Sequence, residues 1–122
     1  MRLQRPKLPA SPIHHKLWRF SDAIIEFAPD ARGVYALWKN AQVIYYGCAH
    51  ADEATIRSRL LEHRSGARVG CTREATHYSW ELAEAARLRE GELLADFWSA
   101  FGRFPSCNEA ETVDAVVKKI TA

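Results

Sequence analysis

Two short β-patterned runs constrain this chain most. Gly33-Val34-Tyr35-Ala36-Leu37-Trp38 and Val43-Ile44-Tyr45-Tyr46-Gly47 flank the polar break Lys39-Asn40-Ala41-Gln42. β-branched and aromatic residues on both sides of such a break predict a hairpin, with strands over Val34–Trp38 and Val43–Gly47. The loop decides which side chains meet. A two-residue loop at Asn40-Ala41 pairs Tyr35 with Tyr46. A three-residue loop, Asn40-Ala41-Gln42, sets Leu37 opposite Tyr45 and puts Tyr35 on the same face. One residue of slip moves every side chain to the other face. A buried tyrosine hydroxyl requires a partner. A site using both rings therefore requires the odd loop or an equivalent bulge.

At 122 residues the chain has room for one domain with a modest core. Residues 1–32 read as an N-terminal arm, with three prolines between Met1 and Pro12, and a short helix after a strand-like turn within Leu17–Phe27. Residues 33–122 read as the main domain. The alternation in Thr76–Leu82 predicts a third strand. Helices are predicted over Glu53–Arg64 and Ala83–Phe101. The expected fold class is α/β (α+β): a three-stranded, mainly antiparallel sheet flanked by helices.

On the first long helix, Ile56, Arg59, Leu60 and His63 share a face, and Arg59 and His63 lie one turn apart. The second carries an apolar stripe of Ala83, Ala86, Leu93, Leu94, Phe97 and Phe101. Glu90 falls near the middle of that stripe, whereas Glu92 falls opposite it with Asp96 and Ser99. A carboxylate at such a position is costly unless it is paired or binds a metal. The pattern thus singles out Glu90.

Cys48, Cys71 and Cys107 are odd in number and lack CxxC spacing, which argues against a disulfide framework or structural zinc and for a reducing cytoplasm. No apolar run is long enough to span a bilayer, and no membrane partner is expected. The net charge of +2 is small, but Arg57, Arg59, Arg64, Arg68 and Arg73 face only Glu62 between residues 57 and 73. Such a segment could follow a phosphate backbone, or form a solvated helix end.

The ordered series GVY, YYG, RLLEH, REGELL and PSCN resembles the GIY-YIG nuclease superfamily over residues 33–108. The resemblance implies a metal-dependent endonuclease hydrolysing phosphodiester bonds in DNA, with Mg²⁺ or Mn²⁺ as cofactor. It implies catalytic roles for Tyr35, Tyr45, Arg59, His63 and Glu90, with Glu90 also the metal ligand. Arg57, Arg64, Arg68 and Asn108 would then contact nucleic acid. Cys48 stands where a lysine or another polar residue is usual. A Glu carboxylate suits Mg²⁺, which keeps several waters, and Arg59 offers bidentate geometry to phosphate oxygens. The residues leave open whether Tyr35 or His63 accepts the proton of the attacking water. The alternative is a catalytically inactive nucleic-acid-binding or protein-interaction module with the same fold.

Overall fold

The computed structural model describes residues 8–50, 53–67 and 70–112. In chain order, a 3-10 turn (Pro12–His14) precedes strand β1 (Trp18–Arg19), helix α1 (Asp22–Ile25) and the hairpin strands β2 (Gly33–Lys39) and β3 (Gln42–Ala49). Helix α2 (Ile56–Ser65), a second 3-10 turn (Gly70–Glu74), strand β4 (His77–Leu82) and helix α3 (Ala86–Phe101) follow. Residues 106–112 are helical. The α+β class holds, but the sheet has four strands in the order β1-β4-β2-β3, all antiparallel. The additional strand is β1, pairing Trp18 with Tyr78 and Arg19 with His77. Two residues are too few to show a period, so this strand is specified by its partner, not by its own pattern.

The hairpin reaches the expected parity through a bulge. Asn40-Ala41 forms a two-residue turn closed by Lys39 and Gln42, with Asn40 at a φ of 55°. Asn tolerates this left-handed region better than most residues. The register then shifts between Leu37 and Trp38: Trp38 pairs with Val43 and Leu37 with Tyr45, leaving Ile44 as the extra residue. Tyr35 consequently lies opposite Gly47 and shares a face with Tyr45.

Each sheet face has its own core. Tyr35, Leu37, Tyr45 and Tyr78 pack with Ile56 and Leu60 of α2 and with Phe20, Ile25 and Ala28 near α1. Val34, Ala36, Trp38 and Tyr46 pack with Leu93 and Phe97 of α3 and with Ile13. Segment 8–32 therefore contributes to both cores. Helix α2 starts later than its period suggested because Thr55 caps it. The Thr55 hydroxyl accepts from the Ser58 N–H, and the Ser58 hydroxyl accepts from the Thr55 N–H. Gly66, at a φ of 80°, ends it.

The cysteines correct another expectation. Cys71 and Cys107, 36 residues apart, form a disulfide, while Cys48 is free. Spacing in sequence carried no sign of this pair. The fold brings together the turn after α2 and the start of segment 106–112. The bond ties that segment to the face of the sheet bearing the tyrosines.

Gly47 owes its identity to Tyr35. A Cβ at Gly47 would stand 2.4 Å from both Cζ and Oη of the Tyr35 ring. We expect Gly47→Ala to destabilise the fold by about 1–3 kcal/mol, the usual cost of overpacking a filled core. Tyr35→Leu in the same chain should recover part of the loss. Urea unfolding of the two single variants and the double variant measures that coupling.

Candidate functional site

Four elements deliver the expected residues. Strands β2 and β3 supply Tyr35 and Tyr45, whose ring centroids lie 6.2 Å apart. Helix α2 lies across the same face and inserts His63, 5.5 Å from the Tyr35 ring and 4.8 Å from that of Tyr45. The Tyr35 hydroxyl and His63 Nε2 are 2.8 Å apart, and His63 Nδ1 lies 2.8 Å from Thr72 Oγ1. A neutral imidazole carries one N–H. With the proton on Nδ1, His63 donates to Thr72 and accepts from Tyr35; the other tautomer reverses both bonds. Tyr35 is 1% exposed and His63 0%, so this relay is internal.

The Tyr45 hydroxyl donates to Glu111 Oε2 at 2.7 Å. Glu111 belongs to helical segment 106–112. Neither Thr72 nor Glu111 was singled out by the sequence. Thr72 had no pattern around it. Glu111 lay one helical turn beyond Asn108, a spacing that gains meaning only once 106–112 is known to be helical.

Arg59 sits beside this cluster on α2. Its Nη1 donates to Glu62 at 3.1 Å, an i,i+3 ion pair. Its Nε is buried and has no hydrogen-bond partner among the described residues, as is also true of Trp80 Nε1. A buried donor left unsatisfied costs about 1–3 kcal/mol. At Arg59 an anionic oxygen would relieve that cost.

Glu90 approaches from the other sheet face. It is half-buried on α3 and interacts with the Cys48 thiol of β3, whose Sγ lies 3.4 Å from His50 Nδ1. Burial raises its carboxyl above the ordinary value, opposed by the Cys48 thiol and reinforced by the charge of Glu111. His50 and Arg87 pull in the opposite direction. Burial, then Glu90, pushes the Cys48 thiol up to about 11. Cys48 is therefore a neutral thiol near neutral pH and a poor nucleophile. The charges of Arg59 and Glu90 both act on Cys48. The site thus straddles the outer strand β3, with aromatic hydroxyls on one side and Glu90 on the other.

The remaining expected residues are spent within the fold or lie elsewhere. Arg57 Nε donates to the Ala28 carbonyl at 3.0 Å. Arg64 Nε lies 3.4 Å from Asp22 Oδ1, and its guanidinium stands over Phe20. Both turn toward α1 and its neighbours, away from the hairpin face used by Arg59 and His63. Asn108 pairs with the edge of β3, accepting from the Tyr46 N–H and donating to the Tyr46 carbonyl, each at 2.9 Å. Arg68 lies outside the described residues.

Glu90 and Glu111 act electrostatically on one another and supply hard oxygen donors. Among the described residues no group of three or more His, Cys, Asp or Glu side chains forms a metal cage. Carboxylate oxygens are of the hard type that Mg²⁺ takes, one or two at a time alongside several waters. No protein-family model, curated protein or solved structure matches the chain.

The Glu90 carboxyl gives a pH signature. Its proton is held more tightly in the folded chain, so stability is greatest below the unfolded carboxyl value and falls as pH rises toward the folded one. Glu90→Gln removes that penalty. Thermal unfolding should show a higher midpoint for the variant at about pH 7 and no gain at about pH 3, below the ordinary Glu value.

Proposed function

We propose that this chain is a metal-dependent endonuclease of the GIY-YIG type, acting on phosphodiester bonds in DNA. The observation that carries this reading is the meeting of Tyr35, Tyr45 and His63 at one point, with Arg59 alongside and Glu90 across the edge strand.

Each residue has a task set by its chemistry. The Arg59 guanidinium offers its buried Nε–H to a phosphate oxygen and offsets charge that grows there during attack. Tyr35 takes a proton from the attacking water as its own passes to His63 Nε2, with His63 in the tautomer whose Nδ1–H donates to Thr72. Tyr45, anchored by Glu111, packs against His63 and holds the imidazole in place. Glu90, with Glu111 nearby, would hold the divalent cation. Such an ion, when bound, supplies Lewis-acid stabilisation of charge on the phosphate.

A second reading has its own observation. Tyr35 and His63 are closed off from solvent, as in a structural polar network. This favours a catalytically inactive nucleic-acid-binding or protein-interaction module.

Cleavage of supercoiled plasmid and of flapped or branched DNA, with Mg²⁺ or Mn²⁺, separates the two. We expect wild-type cutting that falls at least about 100-fold in Arg59→Ala and in Glu90→Ala. Salt-sensitive binding without cutting would establish the inactive binding module. Absence of both would leave only the protein-interaction module.

A further inference from the structure

One covalent bond joins the two side chains that support the tyrosine–imidazole cluster. Thr72, the partner of His63, directly follows Cys71 in the 3-10 turn Gly70–Glu74. Glu111, the partner of Tyr45, lies one helical turn beyond Cys107 in segment 106–112. Neither support lies in the sheet or in α1–α3. The Cys71–Cys107 disulfide ties the two short pieces to each other, and so ties both supports to the cluster.

We infer that Cys71–Cys107 is a reversible redox site that controls this cluster. The disulfide holds Thr72 on His63 and Glu111 on Tyr45, and reduction by a dithiol releases them. The two cysteines differ in access. Cys71 is half-buried, whereas Cys107 is 1% exposed. An incoming thiolate therefore attacks Cys71 Sγ, forms a mixed disulfide there and expels the Cys107 thiolate. The second thiolate of the reductant then attacks the reductant's own sulfur in that mixed disulfide, and the Cys71 thiolate leaves. Two electrons pass to the cysteine pair, the two protons given up by the dithiol end on the two cysteine sulfurs, and the reductant becomes a disulfide. Cys48 is no internal attacker, because its thiol stays neutral near neutral pH.

Reduction acts locally because the rest of the fold does not depend on the bond. The sheet, α2 and α3 bury apolar faces of their own. Within 106–112 the one buried side chain is Cys107. The segment is otherwise held by polar contacts at the edge of β3, from Asn108 to the Tyr46 backbone and from the Tyr45 hydroxyl to Glu111. Such bonds trade against bonds to water at small net gain. The disulfide links residues 36 apart, and opening it returns to the segment the freedom that the link removes. A role in regulating catalysis rests on the endonuclease reading. The switch itself is read without any cleavage assay, so the two fail separately.

NMR of the full ¹⁵N-labelled chain, oxidised and then treated with dithiothreitol, tests the proposal. The Tyr46 amide donates to Asn108, and on reduction it should exchange with solvent at least about tenfold faster. The ring nitrogen shifts of His63 should change as the Thr72 bond is lost. The amides of the β2–β4 ladder and the far-UV circular dichroism should stay as they were. Cys71→Ser should show the reduced pattern in both buffers, and reoxidation of the wild type should restore the first pattern. A reduced chain whose Tyr46 amide and His63 ring are unchanged would overturn the proposal. So would loss of the whole fold on reduction, which would make the bond a structural staple, or a disulfide that dithiothreitol opens only in denaturant.

Discussion

One extra residue in β3 governs much of this molecule. Without the bulge at Ile44, the hairpin closed at Asn40-Ala41 would send Tyr45 to the α3 face and bring Tyr46 to the α2 face. The bulge restores the parity that brings Tyr35 and Tyr45 together. Gly47 completes the arrangement, since only a missing side chain lets the Tyr35 ring lie against β3. His63 can then reach the Tyr35 hydroxyl from α2. The relay to Thr72, the seat for Tyr45 and the packing of α2 all follow from that register.

Periodicity made the larger elements legible in the sequence. The hairpin, α2, β4 and α3 all carry enough residues for a repeat to show, and the parity argument foresaw a bulge as one way of joining the tyrosines. The face of α2 was equally legible: Ile56, Leu60 and His63 are all buried. What escaped was decided at long range. β1 is two residues long and takes its conformation from β4. The Cys71–Cys107 bond joins segments whose proximity depends on the finished fold. Thr72 and Glu111 act as partners to His63 and Tyr45, so their importance appears only with those contacts. Glu90 was read from its helical phase, yet it is only half-buried, beside Cys48 of the outer strand, while Leu93 and Phe97 of the same stripe are buried.

The edge strand is the feature that organises the site. Among the described residues β3 has a neighbouring strand on one side only, and an open edge invites pairing with another chain. Asn108 answers this with its amide, which engages both backbone groups of Tyr46 as a short strand would. That contact fixes segment 106–112 against β3, and the disulfide secures the same segment one residue earlier. Glu111 is thereby carried one turn further along the helix, to the Tyr45 hydroxyl. Edge protection and placement of a carboxylate are thus two consequences of one short helical segment.

The two carboxylates and the arginine make opposite demands on the fold. Glu90 gains a raised proton affinity from burial and from Glu111, so its surroundings disfavour the charged form. Arg59 has the converse defect: a buried Nε donor with no acceptor among the described residues. Neither is an arrangement that packing alone would favour, since each could be relieved by an apolar side chain or a better-placed partner. A cation beside Glu90 and an anionic oxygen beside Arg59 would resolve both defects at once. A metal-bound phosphate brings those two charges in one ligand.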